Sequence, residues 1–126
     1  MDFIDFERAK TGQGLVVEDY VVSAAPGTLS LECTRLSQLT KDPKYYDAIS
    51  RVMDAFNKQQ NKTSLQGMWP KMISMTIQDV ASGSQFILGG CADSLYEYVP
   101  KMYILFGGCE EKYKSYHNTS FVRIHK

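Results

Sequence analysis

The chain has no run of about 18 apolar residues, the length that a membrane-spanning helix requires. Its first ten residues, MDFIDFERAK, carry acids early and contain no apolar core of a signal peptide, so neither a span nor a leader is expected in this chain. An excess of charge is also missing. Lys and Arg number 14, Asp and Glu 14, and the formal net charge is zero. A balanced chain gives no electrostatic reason to expect nucleic acid or an anionic membrane as partner. Cysteine is scarce and odd in number: Cys33, Cys91 and Cys109. That count is no disulfide framework, and no pair has metal-ligand spacing, so the bland reading is small buried thiols. Histidine is limited to His117 and His125, in a tail without pattern, and no Ser-His-Asp or Cys-His constellation is supported. The glycines at 89, 90, 107 and 108 flank a helical stretch without the Lys-Ser/Thr of a phosphate loop. No internal repeat of fixed period is found, which argues against a helical-repeat scaffold.

What is present is ordinary globular material. Of 126 residues, 44% are hydrophobic and 22% charged, enough for one domain or a piece of one. Residues 1–26 are punctuated by Gly12, Gly14 and Pro26, and read as loop with an extended piece from Leu15 to Val22. In TLSLECTRLSQL, Leu29, Glu32, Leu36 and Leu39 recur at steps of three and four, a helix face. Asp42-Pro43 then suits a helix start, with Asp as cap and Pro in the first turn. The next helix repeats Tyr45, Ile49, Val52 and Phe56, widened by Tyr46 and Met53, so the two segments form a helical hairpin turning at Thr40 to Asp42. Residues 57–68 are polar and read as loop. Ile73, Met75 and Ile77 alternate as a short strand would, and FILGG reads as another extended piece. The last clear helix is GGCADSLYEYVPKMYILFGG. Ala92, Leu95, Val99, Met102 and Phe106 form its buried stripe, Pro100 interrupts its backbone bonding, and Gly107-Gly108 ends it. A further helix is expected from about Glu110. The class is mainly α, built of helical hairpins with short extended segments.

Two carboxylates stand in suggestive places. Glu32 lies on the apolar face between Leu29 and Leu36. Either it pairs with Arg35 or reaches water at the edge of the stripe, or that face lines a polar cavity in which Glu32 binds a ligand. Asp93 lies in a first helical turn, where its charge complements the positive helix end, so it is either a helix-starting residue or a chemical group. Tyr96, Tyr98 and Tyr103 suit core and rim positions and could also stack on sugar rings. Asn61-Lys62-Thr63 and Asn118-Thr119-Ser120 are sequons, which makes Asn61 and Asn118 glycosylation candidates.

The motif LSLECTRLSQLTKDPKYYDAISRVMDAF resembles a segment of the class I α-1,2-mannosidases, glycoside hydrolase family 47. QNKT, GMWP and LGGCADSLYEYVPKMYILFGG are similar to that family's following segments, in the same order, and the likeness runs from about Phe6 to His117. The whole chain, 1–126, is accordingly expected to be a partial catalytic domain of the family, fungal-like, with a divergent tail from 118. The resemblance implies a fragment of an (α/α)7 barrel of helical hairpins, closed at one end by a β-hairpin. It implies an inverting, calcium-dependent glycosidase that removes terminal α-1,2-linked mannose from high-mannose N-glycans in the secretory pathway. It makes Asp93 an active-site carboxylate, Glu32 a sugar contact and Cys91 an influence on branch choice, since Cys91 stands where endoplasmic-reticulum members carry Arg. Cys33 replaces the family's Phe, and Lys41 its Gly. The catalytic-acid Glu would lie upstream of Met1, and the remaining carboxylate and the calcium-holding Thr downstream of Lys126. The expectation is that this chain alone is inactive, with the calcium ligands outside it. The alternative is a non-catalytic helical fragment that binds glycans or proteins and self-associates.

Overall fold

The computed structural model of the chain describes residues 10–12 and 18–115. Asn118, both histidines and the start of the extended piece expected from Leu15 lie outside the described residues. Six elements follow in order: strand β1 (Tyr20–Val22), helices α1 (Ala24–Gly27), α2 (Ser30–Thr40) and α3 (Lys44–Gln59), strand β2 (Met72–Ser74) and helix α4 (Asp93–Leu105). A further helical turn covers 111–115, close to the expected start at Glu110.

The α2–α3 hairpin forms where Asp42-Pro43 predicts it. Asp42 Oδ1 accepts the Lys44 N–H at 3.0 Å, and Pro43 supplies a helical φ of −70°. The chain reverses through Lys41, whose φ of 57° is left-handed. Ser37 Oγ donates to the Asp42 carbonyl at 2.6 Å and pins the turn to α2. Helix α3 buries Ile49, Met53 and Phe56. It also runs to Gln59, into the segment expected to be loop. The polar residues there act as anchors: Gln59 Nε2 donates to the Gln78 carbonyl at 2.8 Å, and its Oε1 accepts the Val80 N–H at 3.3 Å.

The core centres on Trp69. Its ring meets Phe56 edge-on at 5.8 Å and Tyr96 at 5.6 Å. Its backbone N–H donates to the Tyr96 hydroxyl at 2.9 Å. The α4 stripe lies where the spacing puts it, with Ala92, Leu95, Val99 and Met102 all buried. Phe106 is half-buried, stacked on Tyr113 at 5.7 Å, and Gly107 and Gly108 end the helix with φ of 61° and 77°.

Two expectations fail among the extended pieces. β2 stops at Ser74, because residues 75–78 turn, with Gln78 at φ 52°, and Ile77 is exposed. FILGG forms no strand. β2 pairs antiparallel with β1 in the register Tyr20–Ser74, Val21–Ile73 and Val22–Met72.

The face of α2 is also corrected. Leu29, Leu36 and Leu39 are 54%, 41% and 69% exposed, whereas Ser30 and Thr34 are buried. Both sets recur at helical spacing, so periodicity alone could not choose between them. Small side chains decide it, because they let α2 approach α4 closely; Thr34 Oγ1 lies 4.0 Å from Met102 Sδ. Contacts from Glu32 to Tyr98 and from Thr34 to Met102 advance together, so α2 and α4 run side by side in the same direction.

Candidate functional site

Asp93 opens α4 and is exposed. The turn before it is held by the Gly89 carbonyl, which accepts the N–H groups of Ala92 and Asp93, each at 3.1 Å. Buried Ala92 and Leu95 then anchor the first turn of the helix. The Asp93 carboxylate does not cap this helix from outside. Its Oδ1 accepts the adjacent Ser94 N–H at 2.9 Å and the Ser94 hydroxyl at 3.4 Å. It therefore complements the positive helix end and still faces solvent.

Cys91, two residues earlier, is exposed and has a φ of 79°, a left-handed conformation unusual for a residue with a Cβ. Its carbonyl accepts the Ala24 N–H at 3.4 Å, which ties the approach to Asp93 onto α1.

Glu32 is exposed and does not pair with Arg35, which donates instead to Gln38 at 2.8 Å. Glu32 Oε1 accepts the Tyr98 hydroxyl at 2.9 Å. This bond crosses from α2 to α4 and raises the Tyr98 phenol above its ordinary range, chiefly because the carboxylate favours the protonated phenol, with burial adding to the effect. On its other side the Tyr98 ring faces Lys101 Nζ at 5.7 Å from its centre, and Lys101 pairs with Glu97. Glu32, Tyr98, Lys101 and Glu97 thus form one connected polar row.

The structure brings Glu32 onto the helix that carries Asp93, at a point five residues on, about 7.5 Å along the axis. It does not bring the two carboxylates into direct contact through any hydrogen bond of Asp93. The residue that holds Glu32 to α4, Tyr98, is half-buried, in keeping with the core and rim positions expected of Tyr96, Tyr98 and Tyr103. Tyr96, two positions away, packs against Trp69, and helical spacing does not distinguish one tyrosine's hydroxyl partner from the other's.

Asn61 is exposed just beyond α3, while Thr63 of the same sequon is buried, its hydroxyl donating to the Leu65 carbonyl at 2.9 Å. Among the described residues no group of three or more His, Cys, Asp or Glu could hold a metal ion. The donor set among the described residues does not fit calcium. Helices α2 and α4 present two exposed carboxylates, Asp93 and Glu32, and a partly covered phenol, Tyr98, groups able to exchange hydrogen bonds with hydroxyls. No helix among the described residues is long and apolar enough to cross a membrane.

Residues 1–126 match the family model described as glycosyl hydrolase family 47. The chain is 36% identical over 95 residues to a mannosyl-oligosaccharide alpha-1,2-mannosidase of Coccidioides posadasii, covering 72% of this chain and 18% of that protein. It is 33% identical over 96 residues to alpha-mannosidase I MNS5 of Arabidopsis thaliana, covering 73% and 15%. It is 35% identical over 85 residues to mannosyl-oligosaccharide alpha-1,2-mannosidase 1B of Aspergillus phoenicis, covering 64% and 16%. The chain spans less than a fifth of the length of these relatives.

Proposed function

The chain belongs to glycosyl hydrolase family 47, and from that premise we propose that it is the part of an inverting α-1,2-mannosidase that supplies one catalytic carboxylate, Asp93, and one sugar-binding carboxylate, Glu32. The substrate class is the high-mannose N-glycan and the setting the secretory pathway. The α2–α3 hairpin and α4 then correspond to a portion of an (α/α)7 barrel. The observation that supports this reading is the Glu32–Tyr98 bond, which ties the exposed Glu32 carboxylate to the helix that begins with the exposed Asp93.

Inversion needs an acid that protonates the leaving oxygen and a base that activates water, the two carboxyl groups about 6.5–9.5 Å apart. An exposed carboxylate such as Asp93 can orient or activate water, but it cannot serve both ends of the bond. The 126-residue chain alone therefore releases no mannose, and calcium binds to residues outside it in a complete domain. The test is to sequence the transcript across both ends of the reading frame and to assay this chain on a high-mannose N-glycan. A frame that continues into further helical hairpins and the missing carboxylate supports the reading. Mannose released by the 126-residue chain itself contradicts it.

A second reading is favoured by the exposed Leu29, Leu36, Leu39 and Ile104. Apolar side chains on one helix pair, left to water, drive association. The isolated chain then acts as a non-catalytic interaction fragment and forms oligomers that bind a hydrophobic dye. A monodisperse monomer that binds no dye argues against it. In this reading Cys91, two residues before Asp93, influences which branch is trimmed, and Asn61, which is exposed, is a glycosylation site.

A further inference from the structure

We propose that Tyr98 is a positioning residue for Glu32, and that the two side chains act as one unit that receives two neighbouring hydroxyls of a single sugar ring. The proposal rests on the reading above that the exposed side of α2 and α4 meets carbohydrate.

The geometry is specific. The Tyr98 hydroxyl donates its one proton to Glu32 Oε1 at 2.9 Å. That proton is then committed, so the phenol oxygen faces solvent as an acceptor, and Glu32 Oε2 remains an acceptor as well. Two adjacent acceptors present the complement of a vicinal diol, whose two O–H groups are held side by side by the ring. A lone exposed glutamate has free χ angles and loses that freedom on binding. Here the bond to Tyr98 removes part of that freedom beforehand, and pre-organisation of this kind adds directly to affinity. The Tyr98 ring is held in turn by Lys101, and Lys101 by Glu97. The row therefore fixes Glu32 from α4, although Glu32 belongs to α2.

The pair is also placed where a substitution tests recognition rather than folding. Glu32 is exposed and Tyr98 only partly covered, and neither belongs to the buried cluster around Trp69. Tyr98→Phe keeps the ring and its contact with Lys101 and removes only the hydroxyl.

The experiment is a titration of the 126-residue chain with α-1,2-mannobiose, followed by NMR, for the unmodified chain, Tyr98→Phe, Glu32→Ala and the double variant. Thermal melts of each serve as the folding control. Tyr98→Phe is expected to weaken binding about tenfold, the effect of one charge-assisted hydrogen bond, with an unchanged melt. Glu32→Ala is expected to lose more, and the double variant no more than Glu32→Ala alone. In the spectra, the Tyr98 ring carbon next to the hydroxyl is expected to titrate at lower pH once Glu32 is Ala.

Unchanged affinity in Tyr98→Phe overturns the proposal, as do losses that multiply in the double variant. So does a Tyr98 titration indifferent to Glu32, or an unmodified chain that binds no disaccharide. Equal binding of cellobiose and mannobiose, with the same loss in Tyr98→Phe, supports the pair while contradicting the mannose reading. The two failures are thereby distinguishable.

Discussion

Gly27 should not tolerate a single added methyl group while Leu95 is present. A Cβ built on Gly27 lies 2.3 Å from Leu95 Cδ1, where carbon atoms normally stand about 3.5–4.0 Å apart. Leu95 is 0% exposed, so its side chain has no solvent-filled space to move into. Overpacking of this kind costs about 1–3 kcal/mol. Alanine also gains about 0.5–1 kcal/mol over glycine in a helix, so Gly27→Ala should destabilise by about 1–2 kcal/mol in balance. Leu95→Ala alone should cost about 2–5 kcal/mol through its cavity. With Leu95 shortened, the nearest remaining atom is its Cβ at 3.7 Å, an ordinary contact. In that background Gly27→Ala should become stabilising, by about 0.5–1 kcal/mol. Urea unfolding followed by far-ultraviolet circular dichroism and Trp69 fluorescence gives all four corners of the cycle. The reasoning is refuted if Gly27→Ala has the same sign in both backgrounds. The contact concerns function as well, because Leu95 lies in the first turn of the helix that begins with Asp93.

Lys41→Gly should stabilise the chain by about 1 kcal/mol, because the left-handed φ of 57° is strained for lysine and free for glycine; a lower melting temperature would contradict this. Ser30→Ala should raise stability by up to about 1 kcal/mol, since the Ser30 hydroxyl is fully buried and has no hydrogen-bond partner; a loss on thermal unfolding would show that the hydroxyl has one. Alkali should unfold the chain. Tyr96 and Tyr113 are raised chiefly by burial and Tyr98 by its bond to Glu32, so each binds its proton more tightly folded than unfolded. Their contribution is complete below the ordinary phenol range near pH 10 and is lost as pH rises through the folded values. Absorbance at the phenolate band should therefore show the buried Tyr96 and Tyr113 ionising together with the loss of helix, and their ionisation well before unfolding would contradict it.

Helix α4 was legible because its apolar residues keep one period over more than three turns and no competing stripe exists. Its ends were legible for a local reason, since glycines at 107 and 108 accept conformations that other residues resist. The start of α3 was legible from Asp42-Pro43 on the same grounds. Helix α2 was placed correctly but oriented wrongly. Its leucines and its Ser30–Thr34 pair share one spacing, and the choice depends on how closely a neighbouring helix can approach, which is a tertiary matter. The end of α3 was read short because polarity suggests loop, while Gln59 spends its polar groups on a distant turn. At the site, Asp93 and Glu32 were singled out from helical position and family likeness. The tyrosine that ties Glu32 to the helix of Asp93 lies 66 residues from Glu32 along the chain, a separation that no local pattern encodes.

The central claim is that Asp93 is a catalytic carboxylate of a mannosidase. The direct measurement places this segment in a complete catalytic domain, by replacing the matching 95 residues of the Coccidioides posadasii relative, and follows mannose released from a high-mannose N-glycan. The account predicts release by the chimera with Asp93 intact and a fall of about 10²–10⁴-fold in Asp93→Asn, at an unchanged melting temperature. Activity within a few-fold of the intact chimera in Asp93→Asn would contradict it and leave Asp93 as a helix-starting residue alone.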